Sequence, residues 1–575
     1  MVSLLSLILI VPTLAFAEVK LCDTVIFKDR KFKLNANEKV LVCGSSKGSE
    51  GWKSVPLSQA EYHLKVFLQN DGYFQPAFER HGEKLWVWMG PRTKVSQLEI
   101  RMDTSGVLDA DRVRHVEGYR LTSELLDNVT KWADFELKSN GYPCPKVEVK
   151  AQAWDRKVIV VTHAGNQARI GRLEWQGHDE LNGNVISRYA ATGPGQIYDI
   201  RRTQLTSSRL FSDGLFEMVL VQPECFGDVV DVKVKTSVGK PRLLRFGFGA
   251  STEEWPFMDV SYKNARLDNN ASSYSLLLHA SPRSQSINGG SELYVFSFLP
   301  SVFWGPRFKV GRRSESEFEE FSARGGADVG RYWDQLDSRW LIRGGPTLNY
   351  VDTVKGIGPS QSEYLNWEAS VSGTSHVYEL NVRDQYEGWT GRFDYHGQRS
   401  ELGSKLNVDR YDGNFKFLWN YNGYTPPLLV LAGRLSAVAV NANPVDLTST
   451  SERLPLEYRV FWGGDQNLRG FGRQNLHNNG LGYLTGLYGG FELRLIEELP
   501  YRLQPFALWD VARLGDRRWT LDEPLFTSWG GGMRWASPVG TLRGSAAKGE
   551  IENGDGSTVA YAREWVYFFS FGQEF

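Results

Sequence analysis

Phe415-Lys416-Phe417-Leu418-Trp419-Asn420-Tyr421 sets an aromatic at every second position, with Lys416, Leu418 and Asn420 between them. Successive side chains of an extended strand point to opposite faces, so this period puts the rings on one side and a mostly polar set on the other. The same period recurs at Met258, Val260 and Tyr262 against Asp259, Ser261 and Lys263, and at Tyr378, Leu380 and Val382 against Glu379, Asn381 and Arg383. A bilayer demands such strands, because backbone groups in lipid must be paired and only an enclosed lumen can hydrate charge. Residues 241–575 therefore read as an all-β transmembrane barrel. At about 9 to 11 residues per spanning strand plus connections, the segment holds about 16 antiparallel strands.

Composition and the first residues agree with a membrane barrel. The 575-residue chain balances 66 Lys and Arg against 67 Asp and Glu, so no excess charge points to nucleic acid. Its 19 Trp, 24 Tyr and 31 Phe suit rings placed at both bilayer interfaces. Leu4 to Ala17 is an apolar stretch ending in Ala15-Phe16-Ala17 before Glu18, so residues 1–17 read as a signal peptide and the chain as exported. No later run of about 18 apolar residues follows, which leaves strands to cross the membrane. Cys22, Cys43, Cys144 and Cys225 all precede the barrel. An even count in an exported chain points to disulfides; Cys22 with Cys43 is the local pair, leaving Cys144 with Cys225, although three connectivities stay open. Their spacing is not that of a zinc site.

The segment before the barrel repeats. Helical patterns at Ser58–Leu68, Ser123–Leu137 and Arg202–Phe211 end near Gly72, Gly141 and Gly214, about 70 residues apart, and each glycine reads as a helix C-cap. A β-rich run follows each cap: Leu85–Met89, Val158–Val161 and Val230–Val234. These runs close near Gly90, Gly165 and Gly239, which keep nearly the same period. Three α+β modules are expected, at residues 18–93, 94–166 and 167–240.

Within the barrel, Gly463-Gly464-Asp465-Gln466-Asn467-Leu468-Arg469-Gly470-Phe471 is polar and glycine-rich. An Arg among glycines, followed by an aromatic, suggests a loop folded into a polar lumen where the Arg meets a carboxylate. Further on, Gly530-Gly531-Gly532-Met533-Arg534-Trp535-Ala536-Ser537-Pro538-Val539-Gly540-Thr541-Leu542-Arg543 reads as two strands joined by a Pro-Gly turn. The last segment, Trp565-Val566-Tyr567-Phe568-Phe569-Ser570-Phe571-Gly572-Gln573-Glu574-Phe575, alternates aromatics to a terminal Phe.

Tandem modules, the Arg469-Gly470-Phe471 loop and this last segment together resemble the BamA/TamA superfamily of outer-membrane assembly factors, whose periplasmic modules are called POTRA domains. The resemblance covers essentially the whole mature chain. It implies that Arg469 meets an acidic residue on a neighbouring strand. Asp510, in Phe506-Ala507-Leu508-Trp509-Asp510-Val511-Ala512, is the first candidate, and Glu492 is the second. Leu508 and Ala512 depart from the family's flanking residues. Tyr567, Phe569, Phe571 and Phe575 resemble the signal read by the assembly machinery. Three modules fit TamA-type members, which implies a TamB-like inner-membrane-anchored periplasmic partner. The implied place is the outer membrane of a Gram-negative cell, with the modules in the periplasm.

Gly572, with Gly247 and Gly249 in the first strand, has two readings. These glycines loosen the seam between the first and last strands so that its edges can template incoming strands; alternatively, they relieve crowding where the barrel closes. The function expected is insertion and folding of unfolded outer-membrane or autotransporter substrates, without nucleotide, metal or other cofactor. A two-partner-type secretion pore is the alternative.

An enzyme is not expected. Gly44-Ser45-Ser46-Lys47-Gly48 fits Gly-x-Ser-x-Gly without a strand-to-helix elbow. His81-Gly82-Glu83, His115-Val116-Glu117 and His178-Asp179-Glu180 lack the cysteine pair a zinc deaminase needs. The run Glu315, Glu317, Glu319 and Glu320 around Phe318 reads as a solvated loop or lumen face.

Overall fold

In the computed structural model, residues 18–44, 55–102, 106–177, 180–296, 298–381, 385–404, 406–442, 454–537, 540–552, 558–560 and 565–571 are described. The first module strings together β1 (Val19–Cys22), β2 (Val25–Phe27), α1 (Ala36–Cys43), α2 (Leu57–Asn70), β3 (Ala77–His81) and β4 (Lys84–Trp88), in a sheet of order β1-β2-β4-β3. The second contains β5 (Gln97–Met102), α3 (Ser123–Ser139), β6 (Lys146–Gln152) and β7 (Lys157–His163), in the order β5-β7-β6. The third contains β8 (Arg169–Gln176), α4 (Asn184–Ser187), α5 (Ile200–Ser212), β9 (Phe216–Phe226) and β10 (Val229–Val238), in the order β8-β10-β9. In every module the β-rich run becomes the strand with neighbours on both sides: parallel to an earlier strand and antiparallel to its hairpin partner.

Local chemistry accounts for the helices. Asn35 and Glu38 form a capping box at α1, and the Thr122 hydroxyl accepts the Leu125 amide at 3.1 Å to start α3. Gly72, Gly141 and Gly214 take φ of 91°, 99° and 79°, the left-handed turn that ends α2, α3 and α5 at little steric cost. On α3, Leu125, Val129, Ala133 and Leu137 recur every four residues and pack against Val158 and Val160 of β7. Cys22 and Cys43 are joined by a disulfide, and no cysteine among the described residues is free. Modules one and two form one compact unit; module three and the barrel form another.

The barrel runs through β11 (Arg242–Ser251), β12 (Phe257–Asn264), β13 (Ser273–Ala280), β14 (Ser284–Glu292), β15 (Val302–Ser314), β16 (Glu319–Gln335), β17 (Ser338–Lys355), β18 (Ser362–Ser375), β19 (Gly388–Gln398), β20 (Val408–Asn420), β21 (Leu429–Ala442), β22 (Thr485–Leu495), β23 (Leu503–Gly515), β24 (Leu525–Ser537) and β25 (Gly540–Glu552). Each pairs antiparallel with the next. β26 (Thr558–Ala560) and β27 (Val566–Phe571) both pair with β25 and make up the sixteenth strand. Phe248, Trp419, Leu487 and Trp509 stand exposed on the outer face, whereas Asn349, Arg434, Glu492 and Asp510 are buried inside. No helix among the described residues is long and apolar enough to cross a membrane.

Two sequence expectations need correction. Tyr378 and Leu380 do not belong to a barrel strand: His376–Leu380 forms the short helix α6 between β18 and β19, and 382–384 lie outside the described residues. The Ser375 hydroxyl caps it, accepting the Tyr378 amide at 3.4 Å. Glu379 is turned toward Arg209 of α5, so a tertiary ion pair overrides a short alternating pattern. Glu315 is not solvated either. It is buried in the β15–β16 turn, where Arg473 donates to both its carboxylate oxygens, at 2.8 and 3.1 Å.

Candidate functional site

The β21–β22 connection, described over residues 454–484, folds back inside the barrel at the end away from module three. Backbone bridges of Val460 with Tyr483 and Trp462 with Leu476 give it a stem. Its tip packs Leu468 and Phe471 with Trp462, Tyr488, Leu514 and Phe526 in an apolar cluster. Phe471 meets Phe526 edge to face, ring centroids 5.9 Å apart. Gly470 lies on β25: a Cβ there would sit 2.6 Å from Gly549 Cα, so neither residue has room for a side chain.

Arg469 is fully buried. Its Nε and Nη2 donate to Asp510 at 2.9 and 2.5 Å, its backbone amide donates to the same carboxylate at 3.0 Å, and Nη1 pairs with Glu492. Asp510 also accepts from the Tyr488 hydroxyl at 3.1 Å and from Ser528 at 3.0 Å. Both candidate carboxylates are thus engaged by one guanidinium, Asp510 through its bidentate fork. Glu492 is the busier group. Arg494 donates to it at 2.8 Å, Arg543 pairs with it, and Arg434 stands 4.0 Å away. A charge taken this far from water is tolerable only when fully paired, and removing one partner of such a pair costs about 3 to 5 kcal/mol.

Sequence reading missed Arg434, Arg494, Arg543, Tyr488 and Gly549. The signal was available in the period of two: Tyr488, Glu492 and Arg494 share the inward face of β22. Polar residues on that face had to find partners inside the barrel.

The second feature is the seam. β24 and β25 pair along their whole length, from Leu525 with Glu552 to Ser537 with Gly540. Across the closure, β11 and β27 share two register pairs among the described residues, Ala250 with Phe571 and Ser251 with Ser570. The Thr252 amide adds a bond to the Phe569 carbonyl at 2.9 Å. Tyr567 and Phe569 face outward and are exposed, while Phe568 and Ser570 are buried inside. Gly572, Phe575 and the segment 1–17 lie outside the described residues.

The remaining motifs do not converge. His81 bonds Glu79 on a module surface, His178 and Ser45–Gly48 fall outside the described residues, and no metal-binding cluster occurs among the described residues.

A closed sixteen-stranded antiparallel transmembrane barrel, preceded by α+β modules and holding an inserted loop, defines the class of this protein. No protein-family model matches the chain. Its fold is similar to that of BamA from Haemophilus ducreyi lacking POTRA domains 1–3, at 15% identity and a TM-score of 0.50, covering 83% of this chain and 99% of that one. Two further similar structures are CdiB from Escherichia coli (12% identity, TM-score 0.44, 89% and 97% covered) and CdiB from Acinetobacter baumannii (12%, 0.44, 83% and 89%).

Proposed function

We propose that this protein is an outer-membrane assembly factor of the TamA type that promotes insertion and folding of barrel or autotransporter substrates, with its modules in the periplasm. The observation that carries the reading is the seam, where β11 and β27 share two register pairs among the described residues, against eight between β11 and β12 and six between β25 and β27. Backbone donors and acceptors along a weakly paired edge favour an added strand. Strand pairing and apolar burial in lipid supply the driving force, so neither nucleotide nor covalent catalysis is called for. The Arg469 lock holds the loop on β22, β23 and β25 and keeps that wall rigid while the seam opens. A TamB-like partner would pair with an edge of module one, β1 or β3.

A secretion pore is the second reading. It is supported by polar cavities of about 410 and 520 Å³ inside the barrel and at its module-three mouth.

The test compares wild type with Ser251→Cys/Ser570→Cys, register partners across the seam, in liposome assembly of an unfolded barrel substrate. Acceleration by wild type that is lost on oxidation of the engineered pair supports the insertase. No acceleration, together with conductance in planar bilayers, supports the pore.

A further inference from the structure

The turn between β14 and β15 has unusual chemistry for a connection at the module-three end of a barrel. From Leu293 to Trp304 the chain contains no charged residue. Val295, Phe296, Phe298 and Leu299 are exposed, at 65, 49, 74 and 41% of their surface. A patch of contiguous large apolar side chains left bare in water is costly and marks a contact surface. The neighbouring turns differ: the β12–β13 connection carries Arg266 and Asp268, and the β16–β17 turn carries Asp337.

Two observations say what covers it. Leu293 bridges to Trp304, and Trp304 shares the outward parity of Phe308 and Val310, all exposed on the lipid-facing wall. The apolar turn therefore continues an interface the barrel already makes with lipid. The base of the turn is held by module three. Tyr294 is buried, Arg188 lies 3.5 Å over its ring, and Asn270 donates to its carbonyl at 2.9 Å. Arg188 and Asn182 of module three in turn donate to Asn270, each at 2.5 Å.

We infer that Val295, Phe296, Phe298 and Leu299 form a membrane anchor that enters the interfacial layer of the module-side leaflet and fixes module three relative to the bilayer through Tyr294. Such an anchor needs apolar area at the headgroup boundary and no charge to carry inward. The inference rests on the barrel spanning a membrane and does not depend on whether the seam inserts substrates.

Phe298→Cys carries one nitroxide label on the full chain, because no native cysteine among the described residues is free. In phosphatidylethanolamine–phosphatidylglycerol liposomes, the ratio of oxygen to water-soluble nickel accessibility should exceed that of an Asp155→Cys label in a module-two turn by about threefold or more. Val295→Cys gives a second position should the first fail to form a heat-modifiable barrel. Equal ratios at 298 and 155 would overturn the anchor. So would protection of residue 298 that develops only after an unfolded barrel substrate is added, since the turn would then be a polypeptide-docking surface.

Discussion

The backbone amide of Asp465 donates to Glu253 Oε1 at 3.0 Å, which ties the inserted loop to the β11–β12 hairpin. The residue before Glu253 is Thr252, whose amide crosses the seam to Phe569. Loop seating and seam closure therefore share one short stretch of chain. A hydrogen bond to a charged group contributes about 1.5 to 3 kcal/mol. Glu253→Ala should accordingly raise hydrogen exchange at the Thr252 and Phe569 amides by about tenfold or more, with amides around Asp510 unchanged. Unchanged exchange at the seam would separate the two features.

Arg469→Ala leaves Asp510 and Glu492 buried with a guanidinium removed, at a local cost of about 3 to 5 kcal/mol. The apolar seat of Phe471 and the strand ladder remain, so the barrel should still shift with heating on gels while the loop becomes open to protease. Arg469→Lys should not rescue it, because an ammonium cannot serve both oxygens of Asp510 and reach Glu492. Loss of the heat-modifiable band would instead place the lock in folding.

Gly549→Leu tests the seat without touching a charge. The added side chain collides with the backbone of Gly470, and overpacking of this kind costs about 1 to 3 kcal/mol. The variant should expose the loop to protease as Arg469→Ala does, and Gly549→Ala should do so less.

The barrel was legible because strand alternation is local: Phe415, Phe417 and Trp419 carry it within a few residues. The helix caps were legible for the same reason, since Gly72, Gly141 and Gly214 act on the turns just before them. Arg469 stood out against its glycines. What sequence could not give was long-range pairing: that Glu492 serves Arg494, Arg543 and Arg469 together, or that Arg473 reaches Glu315 across more than a hundred residues. The same blindness misplaced Tyr378 and Leu380, whose alternation is genuine but yields to the pull of Arg209 on Glu379.

Glu315 should give the loop an acid-sensitive hold. Burial pushes its carboxyl up, but bonds and charge from Arg473 and Arg313 outweigh that and keep it below its ordinary value of 4.5. A carboxyl depressed in the folded state contributes stability above its unfolded value and loses it as pH falls through the folded value. Protease access to residues 454–484 should therefore stay low at pH 7 and increase below about pH 4.5. Glu315→Gln should raise access at pH 7 and flatten the dependence. A wild-type profile unchanged by that substitution would move the sensitivity elsewhere.

Two buried arginines tie module three to the barrel: Arg188, which donates to the Asn270 carbonyl, and Arg209. Arg209 on α5 donates to both oxygens of Glu379 at 2.8 and 2.7 Å and stands 2.9 Å from Asp334, which also bonds His376 at 2.7 Å. Arg209→Ala leaves the Glu379 and Asp334 carboxylates without the guanidinium between them, so about 3 to 5 kcal/mol of the contact is lost. Apolar packing of Ala265 and Ala271 against the module core remains. The module should stay folded yet sample more orientations. Spin labels on Ser187→Cys and Gln335→Cys should give a broader distance distribution in Arg209→Ala than in wild type, and Glu379→Gln should fall between. An unchanged distribution would show that packing, rather than the ion pair, sets the angle of module three.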